Sequence, residues 1–91
     1  MKILVCYDIP EDKIRSKAAK YLEGVGRRLQ YSVFCVEEDS VSFPELCTRM
    51  SAIVAPSEKA SVFLTPLCHT CASRSFQIGA PKESSPVCIV T

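Results

Sequence analysis

The sequence predicts a small α+β domain with two helices on one face of an antiparallel β-sheet. Two amphipathic helical segments alternate with short apolar segments, in the order strand, helix, strands, helix, strands. The length of 91 residues allows only one domain of modest size. No segment is repeated, which excludes a solenoid or other repeat architecture.

The first strand and the first helix come at the N-terminus. Lys2 to Asp8 is a short apolar segment that ends at the turn signal Asp-Ile-Pro. Pro10 suits the first turn of a helix, because that position needs no backbone N–H. Apolar residues at helical spacing follow, namely Ile14, Ala18, Tyr21, Leu22 and Val25. Gly24 and Gly26 are predicted to end this helix.

The middle of the chain contains a second strand region and a second helix. The strand region runs from Leu29 to Val36 and is apolar on both faces. After an acidic loop, Ser42 and Glu45 form the S-x-x-E pattern of a capping box, with Pro44 inside the first turn. The apolar residues that follow at helical spacing are Phe43, Leu46, Cys47, Met50, Ile53 and Val54. Pro56 should end this second helix.

The C-terminal part reads as strands and turns. We expect a strand from Ala60 to Leu67, a turn at Cys68–Cys71 and a short strand from Ser75 to Ile78. Residues 80–91 are then a linker and a last strand, Val87 to Val90. The division is therefore a domain over 1–79 and a C-terminal segment over 80–91. The default fold for this order is a ferredoxin-like two-layer sandwich, βαββαβ, with an added C-terminal strand.

The composition is that of a globular protein. Apolar residues make up 47% and charged residues 23%, which excludes disorder. No apolar run reaches the roughly 18 residues of a membrane span. The run from Ile3 to Tyr7 is also too short for a signal peptide, so we expect a cytoplasmic protein without membrane contact.

The chain contains six cysteines. Because the cytoplasm is reducing, we do not expect them to form a disulfide framework. Four of them lie in apolar segments and are expected to be free and to act as small hydrophobic residues: Cys6, Cys35, Cys47 and Cys88. The remaining pair, Cys68-x-x-Cys71, has too few convergent ligands in one chain for a structural zinc site, which leaves a zinc ion shared across a dimer as an alternative. The pair also lies between strand-like segments rather than before a helix, so a simple turn is favoured over a redox dithiol.

Charge is distributed unevenly along the chain. From Lys13 to Arg28, six basic residues stand against Glu23 alone, although the whole chain carries only +1. A basic segment of this kind fits phosphate or nucleic-acid binding. The alternative is the ordinary solvated face of a helix.

Two sequence blocks carry a family resemblance. The first is Tyr7-Asp8-Ile9-Pro10-Glu11-Asp12 after a strand, and the second is Gly-Arg-Arg-Leu-Gln-Tyr-Ser-Val-Phe over 26–34. Together they resemble the small CRISPR-associated adaptation protein of the CRISPR-associated endoribonuclease family, over about residues 1–79. The resemblance implies a ferredoxin-like homodimer in which the last strand crosses to, or extends, the partner's sheet. It also implies that residues 27–37 supply two strands.

The resemblance also implies a set of site residues. The family's metal-binding, catalytic acid corresponds to Asp8, and its phosphate-contacting residues correspond to Arg15 and Arg28. The remaining motif positions correspond to Tyr7 and Phe34, and we assign these to nucleic-acid binding together with the basic residues Lys17 and Arg27. Lys17 stands where some members have arginine, and lysine cannot make arginine's bidentate phosphate contact.

The chemistry of Asp8 can be read in two ways. Mg²⁺, or Mn²⁺, prefers oxygen ligands and often takes one or two carboxylates, which a twofold axis through two Asp8 side chains would supply. Alternatively, Asp8 and Glu11 have the spacing of a helix-capping pair. The aromatic residues Tyr7, Tyr31 and Phe34 could likewise stack on bases or belong to the core or a dimer interface.

Two functions follow from the resemblance. The first is CRISPR adaptation, that is spacer acquisition, with a metal-dependent endonuclease activity on RNA or DNA. The second is a non-catalytic dimeric adaptor that bridges subunits of the CRISPR integrase and binds the spacer duplex. Without the resemblance, the fold would also suit a small-ligand regulatory domain, against which the basic segment counts.

Overall fold

The computed structural model describes residues 1–76 and 78–79. The elements, in chain order, are β1 (Lys2–Asp8), α1 (Asp12–Val25), β2 (Gly26–Gln30), β3 (Val33–Glu37), α2 (Phe43–Val54), β4 (Ser61–Leu67) and α3 (His69–Ser73). The described strands form one antiparallel sheet in the order β2-β3-β1-β4. This confirms the predicted ferredoxin-like α+β sandwich. The final strand, Val87 to Val90, lies outside the described residues.

The core lies between one face of the sheet and the helices α1 and α2. Along β1 every second side chain is buried, namely Ile3, Val5 and Tyr7. These residues cluster with buried residues of both helices, such as Leu22 and Leu46. The intervening β1 residues point to the other face, because successive side chains of a strand alternate. Among the described residues, none of the helices is long and apolar enough to cross a bilayer.

Helix α1 differs from its prediction at both ends. Its N-cap is Glu11, whose side chain makes no capping hydrogen bond and instead accepts one from Ser57 Oγ at 2.7 Å. The reading of Asp8 and Glu11 as a capping pair is therefore wrong. Gly24 lies inside the last turn, so only Gly26 ends the helix. A Cβ on Gly26 would lie 2.2 Å from the carbonyl oxygen of Cys35, which explains why glycine stands there.

The two strands expected between residues 27 and 37 are β2 and β3, joined by a tight turn at Tyr31 and Ser32. Their register shifts between Arg28 and Gln30, so that Arg28 pairs with Phe34 and Gln30 with Val33. The backbone N–H of Tyr7 donates to the carbonyl of Ser32 at 3.1 Å. This bond holds the turn of the hairpin against the end of β1.

Helix α2 begins as predicted, with the Ser42 half of the expected capping box, whereas the Glu45 carboxylate pairs with Arg49. Ser42 is its N-cap, and Ser42 Oγ accepts a hydrogen bond from the backbone N–H of Glu45 at 3.3 Å. Pro44 lies in the first turn, where it sacrifices no hydrogen bond. The helix ends at Val54, before Pro56.

The region after β4 was predicted wrongly. Residues 69–73 form the short helix α3 in place of the turn, and residues 75, 76 and 78 form no strand. Cys68 is the N-cap of α3, and its Sγ accepts a hydrogen bond from the backbone N–H of Cys71 at 3.3 Å. This cap favours a helix over the predicted turn. Ala72 is buried and anchors the short helix. The predicted segment 80–91 lies outside the described residues.

The described cysteines include four free thiols and one disulfide-bonded residue. Cys6 and Cys47 are free thiols and half-buried, in agreement with their predicted packing role, and the exposed Cys68 and Cys71 are free as well. Cys35 is buried, as predicted, but it is disulfide-bonded, so its prediction as a free thiol is wrong. Cys88 lies outside the described residues.

Candidate functional site

A small pocket lies between α1, the end of β1 and the β2–β3 hairpin. Its volume is about 110 Å³, and its lining residues are Tyr7, Arg15, Ser16, Ala19, Arg28 and Tyr31. The fold thus brings Arg15 and Arg28 to one pocket, although they lie on a helix and a strand. These are the two residues predicted to contact phosphate.

Arg15 is oriented by the start of its own helix. Its Nη1 donates to the carbonyl oxygen of Ile9 at 2.9 Å, and its Nη2 pairs with the carboxylate of Asp12. Asp12 is highly exposed, and exposed ion pairs of this kind contribute only about 0–1 kcal/mol. An incoming anion could therefore replace Asp12 at little cost, while the Ile9 carbonyl still holds the guanidinium in place.

Arg28 is held by two aromatic rings. Its Cζ lies 5.0 Å from the ring centroid of Phe34 and 5.8 Å from that of Tyr31. One terminal nitrogen pairs with Glu23 at 3.4 Å. The Nε atom is buried and has no hydrogen-bond partner within the described part of the chain. A buried donor without an acceptor is uncommon in folded proteins and is a feature of binding sites.

Tyr7 and Phe34 form the floor beneath these arginines. Their rings are stacked with centroids 6.1 Å apart and an interplanar angle of 23°. Burial raises the pKa of Tyr7, and this outweighs the opposing effect of Arg28 and Arg15, so its hydroxyl is protonated at neutral pH. Phe34 is 0% exposed and therefore supports Arg28 rather than presenting a surface of its own.

Lys17 lies on the exposed side of α1, beside the pocket. It lines an open groove of about 400 Å³ together with Asp12, Lys13, Ser16 and Lys20. Ser16 belongs to both depressions, so the groove continues into the pocket. Arg27 is exposed but stands apart, because adjacent residues of β2 point to opposite faces of the sheet.

Asp8 is the last residue of β1 and is exposed, opposite Ser61 of β4. Its side chain lies on the face of the sheet opposite to Tyr7, so one chain does not bring it into the arginine pocket. Asp8 has no hydrogen-bond or ion-pair partner among the side chains of residues 1–76 and 78–79. In the same residues, no group of three or more His, Cys, Asp or Glu side chains could hold a metal.

Sequence reasoning missed the acidic partners of both arginines. Asp12 and Arg15 are three residues apart on one helix, a spacing at which opposite charges meet, so this pair could have been found. The pair of Glu23 with Arg28 could not, because it depends on how β2 leaves the end of α1. Tyr31 was a possible stacking residue from the sequence, but the sequence did not place it in the pocket with the two arginines.

Comparison with known proteins assigns the chain to a family. The family described as "CRISPR associated protein Cas2" matches residues 1–75. The chain belongs to the Cas2 family. This agrees with the resemblance carried by the two sequence blocks, which lie wholly inside the matched region.

Relatives and solved structures agree with this assignment. The chain is 35% identical to "CRISPR-associated endoribonuclease Cas2 4" of Rhodospirillum rubrum, over 90% of its own length and 65% of the relative's. It therefore spans slightly less than two thirds of that relative. It is 40% identical to "CRISPR-associated endoribonuclease Cas2 3" of Synechocystis, over 74% of this chain and 73% of the relative. The crystal structure of a hypothetical protein TT1823 from Thermus thermophilus matches with a TM-score of 0.73 and 26% identity, covering 90% of this chain and 94% of that one. The crystal structure of Streptococcus pyogenes Cas2 matches with a TM-score of 0.71 and 25% identity, covering 87% of this chain and all of that one.

Proposed function

We propose that this protein acts in CRISPR adaptation as a homodimeric, metal-dependent endonuclease on RNA or DNA phosphodiesters. Membership of the Cas2 family and the names of relatives called CRISPR-associated endoribonucleases support the nuclease activity. The observation that carries the proposal is the pocket in which Arg15 and Arg28 meet, together with the Arg28 Nε, which has no hydrogen-bond partner among the described residues.

The arginines are suited to hold a phosphate. A guanidinium presents several N–H donors in a plane, which matches phosphate oxygens better than an ammonium group does. Arg15 is fixed by a backbone carbonyl and Arg28 by two rings, so neither loses much freedom when an anion binds. The lysine-lined groove on α1 would continue the contact along the polymer backbone.

Asp8 is the residue that would hold the metal. Mg²⁺ keeps several waters and is often bound by one or two carboxylates together with substrate phosphate. An exposed carboxylate that has no ion-pair partner in residues 1–76 and 78–79 fits that demand in part, and a second copy of Asp8 would complete it. When bound, such an ion polarises a phosphoryl oxygen and activates water. The role of the arginines is to hold and orient the phosphates on either side.

The sheet face that bears Asp8 supports the homodimer. Phe63, which pairs with Cys6 on this face, is 64% exposed. An aromatic side chain of this size can contribute to a contact with a second copy. A second copy packed on this face around a twofold axis could bring the two Asp8 carboxylates towards each other.

The test measures cleavage of labelled single-stranded RNA, single-stranded DNA and duplex DNA. The assays contain Mg²⁺, Mn²⁺ or a chelator. We expect metal-dependent cleavage that Asp8→Asn abolishes and that Asp39→Asn, an exposed acid in the loop before α2, leaves intact. Undiminished cleavage by Asp8→Asn would remove Asp8 from the mechanism.

The alternative function is the non-catalytic adaptor between copies of the CRISPR integrase, with spacer duplex DNA as the ligand. It is favoured by the distance along the fold between Asp8 and the arginines, because Asp8 lies on the face of the sheet opposite to Tyr7 and the pocket that Tyr7 lines. Spacer acquisition in cells that carry Asp8→Ala separates the two functions. Retained acquisition, together with no cleavage by the purified protein, would favour the adaptor.

A further inference from the structure

We propose that Tyr31 is a stacking platform for one unpaired nucleobase whose neighbouring phosphate lies in the Arg15–Arg28 pocket. The ligand class is therefore single-stranded nucleic acid, or the open end of a duplex, rather than a fully paired helix. The inference rests on the phosphate-binding part of the proposed function and adds the recognition of a base to it.

Exposure singles out Tyr31 among the three candidate stacking residues. Tyr7 is 7% exposed and Phe34 is 0% exposed, so neither offers a ring face to a ligand. Tyr31 is 68% exposed at the turn between β2 and β3. The turn itself is anchored, because Ser32 accepts the backbone N–H of Tyr7. An exposed ring on an anchored turn is available without rearrangement of the core.

The position of Arg28 determines which face of the Tyr31 ring is available to a base. The guanidinium Cζ of Arg28 lies over the ring, 5.8 Å from its centroid. One face of the ring is therefore turned towards the cation, and the opposite face is the one left for a base. Aromatic rings stack on every kind of base, because each base has a π-face, so this contact needs no particular sequence.

Arg28 connects the ring to the phosphate pocket. It lines the pocket together with Arg15, Tyr7 and Tyr31, and its Nε–H has no acceptor in the described residues. A phosphate would supply acceptor oxygens to the two guanidinium groups, while the base attached through the adjoining sugar reaches the ring. The combination of a basic groove with an aromatic platform is the usual arrangement for binding single strands.

The charge around Tyr31 argues for a polyanion rather than an apolar protein partner. Two guanidinium groups share the pocket with the ring, and the groove beside it is lined by Lys13, Lys17 and Lys20. Within a paired duplex, a base is stacked on both sides and cannot reach the ring. Only an unpaired base satisfies both the ring and the phosphate pocket.

Fluorescence anisotropy with a chelator tests binding apart from cleavage. The probes are one labelled sequence as single-stranded RNA, as single-stranded DNA and as blunt duplex DNA. We expect Tyr31→Ala to weaken binding of both single strands by about 5- to 150-fold and to change duplex binding less than twofold. Tyr31→Phe, which keeps the ring, should bind the single strands like the original protein. A probe with 2-aminopurine should lose its quenching in Tyr31→Ala alone.

Three results would overturn the inference. These are unchanged single-strand binding by Tyr31→Ala, an equal loss of single-strand and duplex binding, and a change in molar mass, which would place Tyr31 in a contact between copies. The failure of the nuclease proposal looks different, since binding would still depend on Tyr31 while no probe is cut in Mg²⁺. Circular dichroism confirms that the variants are folded.

Discussion

The guanidinium of Arg28 lies over the ring of Phe34, with Cζ 5.0 Å from the ring centroid. The two residues are also direct partners in the β2–β3 ladder, so the register of the hairpin sets this contact. Phe34 is fully buried, whereas Arg28 lines the pocket. A core side chain therefore fixes the orientation of a surface cation.

The first prediction concerns this contact. Phe34→Leu keeps an apolar side chain but leaves a cavity and removes the ring pair with Tyr7, so it should lower the free energy of unfolding by about 1–3 kcal/mol. Loss of a cation–π contact of about 0.5–1 kcal/mol should weaken single-strand binding about two- to fivefold. Urea unfolding and anisotropy measure the two effects. Leu46→Met, in α2 of the same core, should affect stability only, and an equal binding loss there would refute the positioning role.

The second prediction concerns the shape of the Arg28 cation. Arg28→Lys keeps the charge but loses the planar donors and the stacked contact, so phosphate binding should fall by about 10- to 100-fold. Arg49→Lys is the matched control, because Arg49 lies on α2, pairs with Glu45 and does not line the pocket. Equal affinities of Arg28→Lys and the original protein would show that charge alone matters.

The third prediction concerns the basic face of α1. If Lys17 contacts a phosphate, Lys17→Gln should reduce the slope of log K against log[salt] by about 0.7–0.9, since each contacted phosphate releases counterions. Lys59→Gln, an exposed change outside the groove, should leave the slope unaltered. A slope that Lys17→Gln does not alter would mean that Lys17 is simply solvated.

The fourth prediction compares Gly26, where an added Cβ would clash with the backbone, and Gly24, where there is space for one. Gly26→Ala places a Cβ against the Cys35 carbonyl and should lower the free energy of unfolding by about 1–3 kcal/mol or more. Gly24→Ala meets no atom within 4 Å inside α1 and should raise it by about 0.4–1 kcal/mol. Urea unfolding at fixed pH measures both changes. The same sign for the two variants would contradict the packing seen at Gly26.

The fifth prediction concerns the thiols next to α3. The hydrogen bond from the Cys71 N–H lowers the pKa of Cys68, whereas donation to Cys68 raises the pKa of Cys71. Since the thiolate is the reactive form, Cys68 should be alkylated by iodoacetamide at lower pH than Cys71. Mass spectrometry of peptides after timed alkylation from pH 6 to 9 measures this order. Faster alkylation of Cys71 throughout would contradict the arrangement.

Much of the fold could be predicted because the local signals agree with the packing. The apolar face of α1 and the Ser42 cap of α2 are both present as expected. The turn at Tyr31 and Ser32 could not be placed, because it contains neither glycine nor proline. Helix α3 was missed because its N-cap is a cysteine, which is not among the residues that usually cap helices.

The candidate site was predictable only in part. Arg15 and Arg28 were chosen by resemblance, and their shared pocket depends on the path from α1 into β2. Arg27 and Arg28 look equivalent in the sequence, but the alternation of a strand directs them to opposite faces. The exposure of Tyr31 and the burial of Phe34 depend in turn on the hairpin register.

Tyr7 and Asp8 are neighbours in sequence, yet they project from opposite sides of β1. For the proposed cleavage, a nucleic-acid strand bound by the guanidinium groups must bend around the edge of the β-sheet before its backbone reaches the carboxylate of Asp8. Short, pliable polymers make such a bend more easily than stiff ones. We therefore expect the protein to select substrates by the persistence length of the nucleic acid rather than by its base sequence.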